Sequence, residues 1–400
     1  MKRQSGVDTR YYELIAYLKN RGFSIDLCCS QIQITSTDKE ELEASSFIDN
    51  VFILDFSEKG RKKGKETKNG RKDSFRSNLI VRSLMFLSRK LATLAHKISP
   101  QLPPQQKYAY ENLPNMVSQE MKDQFLQILS SKNYNYLLIS YVYWANLVLD
   151  IPLTNITTLL GIEDSATLQA FYLSNGNIRI GNLLEEEIRR VNLFDKVLCI
   201  SDDERIFFSQ FTTKPAFFYI PQFFHKRSLL STTELYSYDI LFIGSDNIHN
   251  QKSISWFFDY VYPLLNPQYQ LLIVGNITSY IGDYPNVTKI KFADNLDFIY
   301  EKVKLSICPM LQGTGMKIKV VEALSYEKPV VCTSKGVDGF NQKRNNGCIV
   351  TDLPEEFAQA ITNLLTNEAF YHEQKSTAKY FFEDNFEYKA VGKVLDSVFK

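Results

Sequence analysis

Between residues 308 and 332 the chain sets two glycines, two lysines and a glutamate at a spacing suited to gripping a diphosphate. Gly313 and Gly315 flank Thr314; Met316, Lys317, Ile318 and Lys319 follow, and Glu322 comes one turn further in. Glycine admits a left-handed backbone and lets a ligand approach the main chain closely. A helix starting near Gly315 would point its unbonded N–H groups into the glycine loop and form an anion cradle. Lysines in a first helical turn oppose the macrodipole by about 0.3–1 kcal/mol when exposed, and a bound diphosphate reverses that sign. Two solvated lysines beside an ordinary glycine turn fit the spacing equally well. Glu322 sits beside Ala323 and Leu324, where a carboxylate needs a partner. Lys319 is one, in an i,i+3 pair worth a few tenths of a kcal/mol. Two vicinal hydroxyls of a ribose are another.

The elements that must hold these residues are legible as short apolar runs alternating with amphipathic stretches. Strands are expected at 23–29, 51–55, 136–140, 155–159 and 196–200, then at 238–243, 270–274, 287–291, 305–309 and 329–333. Near-continuous apolar strands separated by helices imply parallel sheets covered on both faces. Two such series imply two doubly wound domains, with the boundary in the polar stretch 226–237 and a last helix at about 388–399. A domain of this kind opens with a strand, a glycine turn and a helix. Here Ser5, Gly6 and Val7 lead straight into a helix at 11–20, so either the domain does without its first strand or the recorded start is late.

The stretch from Gly313 to Leu324, followed by Lys328-Pro329-Val330-Val331 and by Ser334 to Gly339, resembles the donor-site signature of family 4 glycosyltransferases, which have the GT-B fold. Leu241 to Ser245, then Asn250 to Phe257 and Pro263, resemble the first strand, loop and helix of that family's C-terminal domain. Glu187, then Phe194 to Ser201 and Glu204, are similar to the end of its acceptor domain. The resemblance covers 238–340 closely and 1–225 loosely. It implies an α/β chain of two Rossmann-like domains facing each other across a cleft. Residues 1–225 would bind acceptor, 238–385 a nucleotide-sugar, and 386–400 form the closing helix. Gly313, Thr314, Gly315, Met316 and Lys317 would hold the diphosphate, Glu322 the ribose, and Ala293 and Leu296 would lie near the base. Gly244 and Ser245 would line the cleft, with Asn250 capping the helix behind them. Lys317, Lys319 and Glu322 would carry catalysis, and Gly6, Arg10 and Asp164 would stand on the acceptor side. Three departures stand out. Thr314 replaces the first of a glutamate pair common in the family, Ser245 to His249 replace an Arg and a Lys, and Glu163-Asp164 stands near a His-Asp pair of some relatives.

The implied reaction is transfer of a sugar from a UDP- or GDP-sugar with retention at the anomeric carbon, to a glycan or lipid-linked acceptor in bacterial surface polysaccharide or glycolipid synthesis. Charge builds on the leaving diphosphate, so backbone amides and lysines can stabilise it without a metal or cofactor. Nothing marks two carboxylates as the acid/base couple of a glycosidase. Two rivals keep the fold: a nucleotide-sugar epimerase, and a catalytically inactive homologue that binds a partner.

The totals narrow the field. Forty-six basic and 45 acidic side chains leave a net charge of +1, against a general nucleic-acid binder. Cys28, Cys29, Cys199, Cys308, Cys332 and Cys348 contain no CxxC pair and read as reduced thiols of a cytoplasmic protein. The polar N-terminus lacks a signal-peptide core, and no apolar run approaches the ~18 residues of a membrane span. Residues 59–76 carry nine basic side chains against Glu66 and Asp73, and 77–97 place Ile80, Leu84, Leu87, Leu91 and Leu94 at helical spacing. A basic loop followed by an amphipathic helix suits an anionic membrane surface, at ~1 kcal/mol per basic residue. A solvated charge run beside a core-facing helix suits the same pattern. Of the histidines, His249, in the loop before Asn250, reads either as a contact to donor phosphate or as a surface residue, and His225 as structural.

Overall fold

A computed structural model describes residues 6–30, 42, 44–54, 108–227, 236–293 and 295–400. The basic loop 59–76 and the helix 77–97 lie outside the described residues, as do 228–235 of the expected linker.

The strands in chain order are β1 (Asp26–Ser30), β2 (Asn50–Leu54), β3 (Tyr136–Ser140), β4 (Thr157–Ile162), β5 (Lys196–Cys199) and β6 (Ala216–Tyr219). They continue with β7 (Tyr238–Ile243), β8 (Leu271–Val274), β9 (Val287–Ile290), β10 (Val303–Cys308), β11 (Val330–Cys332) and β12 (Cys348–Val350). Ten of these match the apolar runs of the sequence, shifted by at most three residues at either end. The sequence reading missed β6, whose Ala-Phe-Phe-Tyr follows a proline, and β12, whose three residues are too short to show a pattern.

The described residues pack as two units, 1–160 with 177–195 and 161–176 with 196–400. In the first, helix Gly6–Asn20 precedes β1, which pairs in parallel with β2 from Asp26↔Asn50 to Ser30↔Leu54. Arg190, fully buried on helix Ile180–Val191, donates to the carbonyls of Leu113 and Pro114 and pairs with Glu186 at 2.8 Å. A buried guanidinium is tolerated because its donors are met in this way.

The second unit holds a six-stranded parallel sheet in the order β12-β11-β10-β7-β8-β9. Both faces are covered, and strand residues divide alternately between them. Leu241 and Leu272 join a cluster with Val320, Val321, Leu324 and Phe382. Ile240, Phe242, Leu271 and Ile273 join Ile254, Phe257, Phe357 and Ile361 on the other side. Both alternating sets are apolar, as a parallel sheet buried on two faces requires. The closing helix Tyr388–Val398 packs in this unit against β6. It is fixed there by Phe224, whose N–H donates to the Phe386 carbonyl and whose carbonyl accepts from Tyr388, and by His225 stacked on Tyr388 at 4.2 Å. His225 is structural, as the sequence suggested.

Strand order reverses between β7 and β10, and ligands of open parallel sheets bind at the carboxyl ends of the strands at such a switch point. The turn after β7 is shaped by its neighbour. Gly275 has φ +107°, and a Cβ there would stand 2.2 Å from the Gly244 carbonyl oxygen. Gly275→Ala therefore forces strain at both turns. Its urea denaturation midpoint should drop by the equivalent of about 1–3 kcal/mol; an unchanged midpoint would contradict the close approach.

Candidate functional site

Two turns meet at the switch point. The first, Gly244 to Asn247, leaves β7 and enters helix Ile248–Trp256. The expected cap of this helix was Asn250; the structure gives that role to Asn247, whose side chain accepts from the Asn250 N–H at 2.9 Å. Asn250 sits inside the first turn and faces inward, so it serves as a strut. Its Nδ2 donates to the Ser245 carbonyl at 2.9 Å and its Oδ1 accepts from Lys319 Nζ at 2.7 Å. One amide thereby joins the two turns. Ser253, one turn further and fully buried, accepts from the Leu311 N–H at 3.3 Å and donates to the His249 carbonyl. Sequence reading missed Asn247, Ser253 and their loop contacts. An Asx residue three positions ahead of Asn250 was the available signal for the cap.

The second turn runs from Pro309 at the end of β10 to Lys317. Its helix is Ile318–Ser325, so the start lies three residues later than expected. The cause is local: Gly313 and Gly315 take φ +124° and +64°, and Lys317 is extended, which holds the chain out of helical geometry until Ile318. Among the described residues, no backbone N–H from Gln312 through Lys319 has a protein acceptor. Gly315, Met316 and Lys317 in this run are buried. Successive N–H groups with nothing to bond are a ready anion site.

The two lysines are engaged. Lys317 donates to the carbonyls of Gly315 at 2.8 Å and Thr314 at 3.2 Å. Lys319 donates to Asn250 and lies 4.7 Å from the Phe242 ring centre. Burial lowers the pKa of both; the charges of Asp338 and Asp164 work the other way on Lys317. An ammonium has three donors, so each retains capacity for a ligand. Neither pairs with Glu322 among the contacts seen. Glu322 instead lies beside the buried phenol of Tyr300, which burial and then the Glu322 charge push well above its ordinary range. Tyr300 stacks on Tyr326 at 4.2 Å, and both had been missed. His249, on the helix behind the first turn, is half buried; burial, then Lys252 and Lys317, lower its pKa and keep it neutral.

Met316 packs into the core with Val320 and Val321, and Ala293 and Leu296 lie against the same cluster. Of the three residues expected on the acceptor side, Gly6 begins helix Gly6–Asn20 and Arg10 is buried on it in the first unit. Asp164 follows β4 and packs in the second unit with the glycine turn. Thr314 Oγ1 donates to Asp164 Oδ1 at 2.9 Å. Burial raises the Asp164 carboxyl to about 6, against the Thr314 hydrogen bond and the Lys317 charge, which lower it; Glu163 raises it further. All six cysteines are free thiols. Among the described residues no His, Cys, Asp and Glu side chains gather in a group able to hold a metal ion.

Residues 237–367 match the family of glycosyl transferases group 1. An uncharacterized 44.6 kDa protein in the cps region of Klebsiella pneumoniae is 28% identical over 223 residues. That alignment covers 52% of this chain and 56% of the relative, so the chain spans about half the length of the curated relative it matches. The N-terminal domain of Candida albicans trehalose-6-phosphate phosphatase aligns over 100% of this chain and 93% of its own, with a TM-score of 0.62 and 11% identity. Anabaena Alr3699/HepE, solved in complex with UDP, aligns over 94% of this chain and 99% of its own, with a TM-score of 0.57 and 13% identity. At these identities the likeness shows the fold, an α/β chain with parallel sheets of the GT-B type.

Because its folded pKa is raised above the unfolded value, Asp164 binds its proton more tightly in the native state, and stability falls as pH rises from about 4 to about 6. Asp164→Asn removes that titration. Urea unfolding across this window should show the difference in stability between variant and parent moving in the variant's favour as pH rises. A constant difference would mean that Asp164 is not raised.

Proposed function

We propose, with the match of residues 237–367 to group 1 glycosyl transferases as premise, that this chain moves a sugar from a nucleoside diphosphate donor to a glycan or lipid-linked acceptor. The observation that carries the reading is the run of N–H groups from Gln312 through Lys319 that find no protein acceptor at the switch point of the sheet. A diphosphate supplies what that run lacks.

Cleavage of the bond between anomeric carbon and phosphate places charge on the leaving diphosphate. Fixed amides aimed at that charge need not reorganise during reaction, and this is where such catalysis draws most of its energy. The remaining donors of Lys317 and Lys319 add positive charge, and the site works without a metal. Glu322 accepts the ribose hydroxyls, and Tyr300 beside it limits the directions its carboxylate can take. Ala293 and Leu296 provide apolar surface for the base. Gly244 and Ser245 stand on the opposite turn, and the neutral His249 on the helix behind it, near the phosphates. The anomeric configuration is retained.

UDP is the first nucleotide to test, since HepE was solved with it. A relative from a cps region supports an acceptor in surface polysaccharide synthesis. Among the described residues no helix is long and apolar enough to cross a membrane. Residues 59–97 would hold the protein to an anionic inner membrane surface by charge and an apolar face.

A second reading, an inactive homologue that binds a partner, is favoured by the engagement of Lys317, Lys319 and Thr314 with protein groups. Fold alone does not decide between the two, since a phosphatase's N-terminal domain has the same architecture. Nucleotide release from UDP- and GDP-sugars, with and without a membrane extract, separates the readings: acceptor-dependent release is expected. Glu322→Gln replaces a charged acceptor with a neutral amide and should lower kcat/KM by about 10²-fold, from roughly 1.5–3 kcal/mol per hydrogen bond to a charged group. Full activity in Glu322→Gln would remove the ribose role. No binding of UDP or GDP in calorimetry would support the inactive reading.

A further inference from the structure

We propose that Asp164 is a residue of the donor site, and that in the donor complex it is a neutral carboxyl giving its proton as a hydrogen bond to the bound diphosphate. This rests on the donor-site reading above and assigns that site a residue that sequence placed on the acceptor side.

Geometry puts the carboxyl on the cradle. Asp164 Oδ1 accepts from Thr314 Oγ1 and occupies the space above Gly315. A Cβ on Gly315 would lie 2.4 Å from that oxygen and 2.8 Å from the Glu163 carbonyl. No side chain fits there, and the carboxyl stands directly against the turn whose N–H groups await an anion. A diphosphate on those amides would therefore lie close to the Asp164 carboxyl. An ionised carboxylate beside a dianionic diphosphate is opposed by the repulsion of like charges in a poorly hydrated site. A protonated carboxyl has the opposite effect, since it becomes a donor. Oδ1 is taken by Thr314, so the proton sits on Oδ2. It comes from solvent, and no bond of the substrate is made or broken in its uptake.

The charged groups facing Asp164 support this direction. Glu163 on its own turn disfavours ionisation, as does burial, and Lys317 on the glycine turn favours it. Lys317 is itself faced by Asp338 and Lys335 from the segment after β11 and by His249 from helix Ile248–Trp256. A diphosphate drawn to Lys317 and the amides reduces what Lys317 does for Asp164. With the free carboxyl at about 6, the group is mostly ionised at pH 7 before binding and takes up a proton on binding.

Calorimetric titration of the whole chain with UDP-glucose and GDP-mannose, in buffers of different ionisation enthalpy, reads this uptake directly. The diphosphate of a nucleotide sugar has no group titrating near neutrality. The parent should take up close to one proton per nucleotide at pH 7. Its affinity should rise by up to about tenfold per pH unit as pH falls from 8 toward 6. Asp164→Asn should bind with no proton uptake and a flat pH profile, while His249→Asn should retain the uptake. Binding by the parent without proton uptake overturns the proposal, and so does uptake that survives in Asp164→Asn or vanishes in His249→Asn. If neither nucleotide sugar binds the parent between pH 6 and 8, the donor-site reading itself has failed.

Discussion

Backbone N–H groups taken out of water need an acceptor, and each one left without costs about 1–3 kcal/mol. From Gln312 to Lys319 the chain leaves N–H groups without a protein acceptor in succession, and Gly315, Met316 and Lys317 among them are buried. A fold does this only where something else holds the turn in place. Here the holding is done from behind and from the side. Gly275 presses on the Gly244 carbonyl, Ser253 accepts from Leu311, and Asn250 ties Ser245 to Lys319. The amides stay open because the side chains around them are occupied with one another.

That arrangement explains why Lys317 is buried and Lys319 partly buried against their preference. An ammonium moved away from water loses hydration, which lowers its pKa. Lys317 recovers part of this from two carbonyls of its own turn and Lys319 from Asn250 and the face of Phe242. Their charges thus add to the potential at the turn while their positions are fixed, which is the condition for stabilising charge without reorganisation. Asp164 is an anion brought against this field from the end of another strand. Its raised carboxyl records the balance between burial and the neighbouring cation.

Much of the second unit was legible because a buried parallel strand needs apolar residues on both of its faces. The runs at 238–243 and 270–274 therefore announced themselves. The glycine spacing announced the turn, since a left-handed backbone at Gly315 admits few other residues. The helix boundary was not legible. Lys317 is a sound helix former, and only the path imposed by Gly313 and Gly315 kept it extended. The cap passed from Asn250 to Asn247 for a similar reason: two asparagines three residues apart are both competent, and the turn geometry chose between them.

Residue types and spacing by themselves determined that this chain builds parallel α/β sheets and carries a glycine turn ahead of a helix with Lys317, Lys319 and Glu322 in order. These follow from local backbone preference and from the period of apolar residues, which each segment carries within itself. Which side chain meets which was decided only by the fold. Lys319 turned to Asn250, Glu322 came beside Tyr300, and Asp164 came to Thr314 across 150 residues of chain. Such pairings depend on how strands are ordered in a sheet, and strand order is fixed by packing the whole unit rather than by any one stretch of sequence.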